Sequence, residues 1–436
     1  MPLPQSLLLL LTVAALLLAP VGLWAQPQTT QPGLDRTAAP LFQELAALKG
    51  IAAPGPPPPI LVKTRPEIRR YIEQELDRRY SPARVESERK GMVAWGLIPR
   101  DFDLRRLFVD LVNEQIAAYY DPLRKVMVLG DWLAPEEQQV VLLHELVHAL
   151  QDRQVSLDTF VTPTPGRGDQ VLARQALMEG EAVALSFDVL LRTQGTELSA
   201  LPDLETIRAT IGAGLVGQAA NAAPKFLRDL LLFPYLEGLN FAYEFRKQQP
   251  WSAISTLYGD PPRSTAQILH PEKRLKARQD PIPIALPDMT PLIPAGKPAA
   301  DDELGEFGLG AVVGLHLGEP AGRRIAAGWR GDRYRVWEDD AGRFILVYHL
   351  VMDSPRTANA FALAYTTIME KRHPAVARRG MPGRDGATVS WLEGPRGFLV
   401  EKRGAEVLVL EQVPAATTDR MREAVWRGRG VVLPKP

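Results

Sequence analysis

The sequence predicts an α+β protein, with a mainly helical domain that carries a short β-hairpin followed by a small antiparallel α+β domain. Three observations predict it. From Leu61 to about residue 275 apolar residues recur at helical spacing, as in RPEIRRYIEQELDRRY and DFDLRRLFVDLVNEQIAAYY. That rhythm breaks once, where the turn DPLR is followed by KVMVLGDW, a short β-rich run that reads as the second arm of a hairpin. Past residue 304, DRYRVWE, FILVYHLVMD, ATVSWLE, GFLVEKR and AEVLVLEQ read as strands between Gly, Asp and Pro, with helical patterns at 355–371 and 416–427. Such elements favour helices laid on an antiparallel sheet.

In chain order, residues 1–25 carry no charge and hold a leucine-rich block ending at Pro20 and Ala25, which reads as a cleaved signal peptide. The lesser alternative is an uncleaved membrane anchor, since about 17 to 25 apolar residues suffice for one. The expected location is therefore secreted or periplasmic, with membrane contact only if the segment is retained. Residues 26–60, rich in Pro, Gln, Thr and Ala and ending in AAPGPPPPI, read as a tether. The helical domain is placed at 61–284, a Pro-rich linker at 285–303 and the second domain at 304–436.

Composition excludes some classes of function. Lys plus Arg and Asp plus Glu both number 51, so no overall field draws the chain to nucleic acid or an acidic membrane. The chain has no cysteine, which rules out disulfides and leaves His, Asp and Glu to hold any transition metal.

The chemistry centres on VLLHELVHALQD, residues 141 to 152, which contains two of the six histidines. Residues four apart share a helix face, so His144 and His148 can offer ring nitrogens to one ion. Glu145, turned by about 100 degrees, can reach a water at that ion and take its proton without ligating. Pro135, Glu136 and Glu137 start the helix, and its apolar flanks are core-like. The blander reading is a buried helix whose histidines bond within the core, but each polar group would then need its own partner.

A catalytic zinc keeps three protein ligands and one open position. The third is expected from a second helix, ARQALMEGEAVALSFDVL, with Glu179 the leading candidate and Glu181 and Asp152 the rivals.

HELVH followed by a helix with EGEA resembles the gluzincin branch of the zinc metallopeptidases. The resemblance implies a zincin-like domain whose hairpin lies beside the active-site helix, His144, His148 and Glu179 as zinc ligands, and Glu145 as general base. The chain also resembles a group of uncharacterised exported bacterial proteins with a YYDP hairpin and an STxQxLHPEK-like segment, over most of residues 65 to 430. One departure is Val183, where thermolysin-like relatives place an Asp that orients the first His; here Asp188 or a backbone carbonyl is left for His144.

In zincins the edge strand beside the active-site helix pairs with extended substrate, which makes Tyr119 and Tyr120 of IAAYYDPLRKVMVL candidate substrate-binding residues, unless the hairpin is only structural. For the oxyanion donor His270 is the leading candidate, with Tyr258 and Tyr120 as competitors. His316, His349 and His373 are expected to be structural.

These readings converge on an exported zinc metallopeptidase, an endopeptidase by expectation, acting on a peptide or protein substrate. The alternatives are a non-catalytic exported binding or assembly protein with a structural metal, and a hydrolase of other amide or ester bonds.

Overall fold

Helices dominate from Gln31 to Leu275 and a large sheet organises the remainder, as the apolar spacing predicts. The computed structural model describes residues 31–79, 81–115, 117–162, 164–215, 217–294, 296–374, 377–379 and 388–428; the signal segment read at 1–25 lies outside them. The first part runs α1 (Gln31–Leu48), β1 (Ile60–Lys63), α2 (Arg65–Arg79), α3 (Pro82–Ala94), α4 (Leu104–Gln115), β2 (Ala118–Asp121), β3 (Val126–Gly130), α5 (Pro135–Gln154), α6 (Leu157–Phe160), α7 (Gly168–Thr193), α8 (Glu205–Leu215), α9 (Gln218–Ala222), α10 (Lys225–Arg246), α11 (Ser255–Gly259), α12 (Thr265–Leu269) and α13 (Glu272–Leu275). The second runs β4 (Lys297–Asp302), α14 (Gly305–Leu317), α15 (Glu319–Ala326), β5 (Trp329–Glu338), β6 (Phe344–Met352), α16 (Pro355–Arg372), β7 (Ala377–Arg379), β8 (Thr388–Glu393), β9 (Arg396–Arg403), β10 (Glu406–Pro414) and α17 (Thr418–Arg427).

The stretch read as a tether is mostly structured. From Gln31 it forms α1, whose Leu34, Ala38, Phe42, Leu45 and Ala46 are all buried in the main core. Pro40 inside the helix removes a backbone bond and costs about 3 kcal/mol. Burying two leucines and a phenylalanine, at roughly 1.5–3 kcal/mol each, outweighs it. The face packs on α5, with the Arg153 guanidinium 4.7 Å from the centre of the Phe42 ring. After the turn, Ile60 opens β1, which pairs in parallel with β3 to give a three-stranded sheet of order β1-β3-β2.

The expected hairpin is β2 and β3, antiparallel, with Tyr119 opposite Val128 and Tyr120 opposite Met127. Asp121 makes the turn, accepting from the backbone N–H groups of Leu123 and Arg124 at 2.9 and 3.0 Å. β2 lies at the sheet edge and packs on α5.

The second sheet has order β4-β5-β6-β10-β9-β8-β7 and its pairings are antiparallel. Every residue of β6 is buried, because both sheet faces are covered. Leu346, Tyr348 and Leu350 enter one core, with α14 and α16, while Ile345 and Val347 enter another, with α17.

The passage 285–303 is not a free linker. Leu286, Met289 and Ile293 are buried under the sheet, and residues 297–302 are its edge strand β4. The first half also reaches into the second core through Trp95, whose ring meets Tyr334 and Tyr348 edge-on at 5.6 and 4.8 Å. His349 and His373 bond to Glu406 and Glu411 respectively, in keeping with structural roles.

Candidate metal centre

Helix α5 starts where the sequence places it, with the Glu137 carboxylate accepting from the Ala134 N–H at 2.9 Å. Its sequence is apolar over two turns, so the helix sinks into the core and carries His144, Glu145 and His148 with it; these are 0%, 1% and 5% exposed. Helix α7 crosses α5 and presents Glu179, which is 1% exposed. On its other side α7 packs closely on α10, where Gly180 lies against Gly238.

His144 Nε2, His148 Nε2 and a Glu179 carboxylate oxygen converge. The two nitrogens are 3.0 Å apart, and Glu179 Oε2 lies 3.2 Å from His144 Nε2 and 3.5 Å from His148 Nε2. Donors at about 2.0–2.2 Å from one tetrahedral ion would be spaced by about 3.4 Å. The donor set and its spacing therefore fit a zinc-sized cation. Among the described residues, Glu179 Oε1, Glu145 Oε1 and His144 Nδ1 are buried without a hydrogen-bond partner. Orphaned buried carboxylate oxygens are costly, and a cation in the cluster offsets that cost.

Electrostatics separate the roles. Burial, with the Glu179 charge adding to it, pushes the Glu145 carboxyl up to about 7, against the opposing pull of the His148 cation and the nearby Tyr120 backbone N–H. Burial would likewise raise Glu179, but the His148 and His144 rings outweigh it and hold it at about 2. In His148 burial is overcome by the Glu179 carboxylate, raising it to about 9, whereas burial dominates in His144 and lowers it.

One partner of the cluster is marked in the sequence by its spacing alone. Gln151, one turn beyond His148, faces its Nδ1 with Oε1 at 2.8 Å, directing Nε2 toward the cluster. The Gln151 amide nitrogen donates to the Met178 carbonyl and to Glu181 Oε2, both at 2.9 Å. Glu181 is thereby separated from the donor set, held also by Lys49 and by the Tyr258 hydroxyl. The other rival, Asp152, accepts from the Tyr120 hydroxyl at 2.8 Å and the Leu157 N–H at 3.0 Å, and pairs with Lys125.

Asp188 does not orient His144. Its carboxylate accepts from the Leu198 N–H at 2.6 Å and the Trp251 indole at 2.7 Å, and no carbonyl among the described residues takes His144 Nδ1. Tyr235 of α10 instead lies beside that imidazole, ring centres 6.5 Å apart. No local sequence pattern marks it, because the contact joins residues 91 apart.

The two hairpin tyrosines part company. Tyr120 donates its hydroxyl to Asp152, and its backbone N–H lowers the Glu145 carboxyl. Tyr119 faces the other side, stacked on Tyr71 at 4.8 Å in a groove of about 330 Å³ that also includes Lys63 and Arg124. His270 is likewise engaged elsewhere, with Nε2 2.6 Å from Glu306 Oε1 of α14. The STAQILHPEK segment acts as a clasp: Thr265 bonds to Asp169 at the start of α7, and Lys273 reaches Glu306 at 3.5 Å.

Residues 100–209 match the family model described as an IrrE N-terminal-like domain, of peptidase family M78, and this stretch contains all four central residues. Residues 292–422 match a domain of unknown function (DUF8575), which corresponds to the large sheet and its helices. No curated protein and no solved structure matches the chain.

Proposed function

We propose that this chain is an exported zinc metallopeptidase of gluzincin type, with His144, His148 and Glu179 holding the ion and Glu145 as general base. The observation that carries the reading is the convergence of three donors from two helices, with a fourth side chain, the acidic Glu145, adjacent but outside the donor set. The peptidase-family match over the same residues supports it. A structural zinc closes its sphere with a fourth side chain. Asp152 and His270, the candidates for that place, are bonded elsewhere.

Bound zinc supplies Lewis acidity to a scissile carbonyl and lowers the pKa of water to near 7. Glu145 takes the proton from the attacking water and returns it to the departing amine. β2 lies beside α5 at a sheet edge, and is the proposed place for an extended peptide to pair.

Deep burial of the four side chains favours one competing reading, a non-catalytic exported binding or assembly protein with a structural metal. Cleavage of unfolded casein by the zinc-loaded protein separates the two. Glu145→Gln should keep the metal and lose at least about a hundredfold in rate. A zinc-loaded wild-type protein with no hydrolytic activity would favour the structural reading.

A further inference from the structure

We infer that Lys49, at the end of the N-terminal helix, is a positioning residue of the metal centre, acting on His148 through Glu181 and Gln151. The inference rests on the reading of His144, His148 and Glu179 as metal ligands. It concerns a residue 99 positions before His148, in a stretch whose composition reads as a tether.

The series is continuous. The Lys49 ammonium pairs with Glu181 Oε1, both side chains being 0% exposed. Glu181 Oε2 accepts from Gln151 Nε2 at 2.9 Å and from the Tyr258 hydroxyl. Gln151 Oε1 meets His148 Nδ1 at 2.8 Å. A glutamine amide has a donor end and an acceptor end, so its orientation determines what it offers to an imidazole. With the NH₂ group directed at Glu181 and the Met178 carbonyl, only the oxygen can face His148. The ring then carries hydrogen on Nδ1 and presents Nε2 as the metal donor. A flipped amide would put NH₂ against Nδ1, shift the hydrogen to Nε2 and remove that donor. The negative charge on Glu181 prevents the flip, and Lys49 is the cation that compensates this charge in a dry interior.

Fold stability alone is a poor reason for this pair. Replacing a buried ion pair with apolar side chains is often neutral or stabilising. The backbone also delivers Lys49 firmly. Its N–H bonds to the Leu45 carbonyl at 3.0 Å, and the chain then reverses at Gly50, φ +68, where a Cβ would lie 2.8 Å from Ser252 Cβ.

The test measures zinc affinity of the purified full chain by chelator competition, together with the absorption spectrum of the cobalt-loaded protein. Lys49→Met should weaken zinc binding about tenfold and alter the cobalt spectrum, and Lys49→Arg should restore most of the affinity. In a Gln151→Met background, where the series is already cut, Lys49→Met should change affinity by less than about threefold. Phe42→Leu, which loosens the same helix without touching the series, should leave affinity and spectrum unchanged. Should Lys49→Met fail to fold, Glu181→Gln interrupts the same series and carries the same pair of expectations. Zinc binding that is unaffected by Lys49→Met, or weakened equally in both backgrounds, overturns the inference while leaving the metal centre intact. A wild-type chain that binds no zinc overturns the metal centre and the inference together.

Discussion

Gly180 and Gly238 meet where α7 crosses α10, with no side chain between them: a Cβ on Gly180 would fall 2.1 Å from the Gly238 carbonyl oxygen. One on Gly238 would fall 2.2 Å from that of Ala176. The obstacles are backbone atoms, which cannot rotate aside. Glu179 precedes Gly180, so this crossing sets where the ligand carboxylate stands. Gly180→Ala is expected to force the helices apart, lowering stability by about 3 kcal/mol and weakening zinc binding. Thermal unfolding and chelator competition check both, and an alanine variant with wild-type melting and affinity would show that the crossing has slack.

Zinc binding should release protons. In the metal-free protein the Glu179 carboxylate raises His148 to about 9, so the ring is protonated at pH 7.5 and must lose that proton to become a ligand. The sign follows directly. A raised histidine stabilises the metal-free fold fully below its ordinary value, and this contribution is lost as pH rises through about 9. Apparent zinc affinity is expected to climb roughly tenfold per pH unit between about 7 and 9, then level off. Calorimetry in buffers of different ionisation enthalpy should count about one proton released at pH 7.5. A count near zero would mean His148 is already neutral.

Asp188 provides the contrast, because it is buried on the same helix as Glu179 yet serves the fold alone. Asp188→Ala leaves the Leu198 N–H and the Trp251 indole N–H without their acceptor and should lower stability by about 3 kcal/mol. Zinc affinity should be unchanged within about twofold, since distant, unconnected sites behave independently. A large loss of metal would instead link Asp188 to His144.

What the sequence disclosed follows the range of the interactions. His144, Glu145 and His148 were legible because helical geometry fixes their relation within one turn, and Glu179 because it opens the EGEA run of the following long helix. Gln151 lay within the same reach, three residues past His148. The N-terminal helix was hidden by composition. Its Leu34, Ala38, Phe42 and Leu45 keep helical spacing, but Gln, Thr and Pro residues among them obscure the stripe, and only the tertiary surface of α5 gives it something to bury against. The bonds of Lys49 to Glu181 and His270 to Glu306 span 132 and 36 residues, distances over which a single sequence has no periodicity to read.

The Tyr120 backbone amide, close enough to lower the Glu145 carboxyl, belongs to a strand at the edge of its sheet. On the proposed reading, a guest chain aligning itself along that border would meet Glu145 beside one rung of the ladder. Pairing at that rung would turn the amide toward the guest, and so would ease its hold on the carboxylate as the bond to be cut came into place.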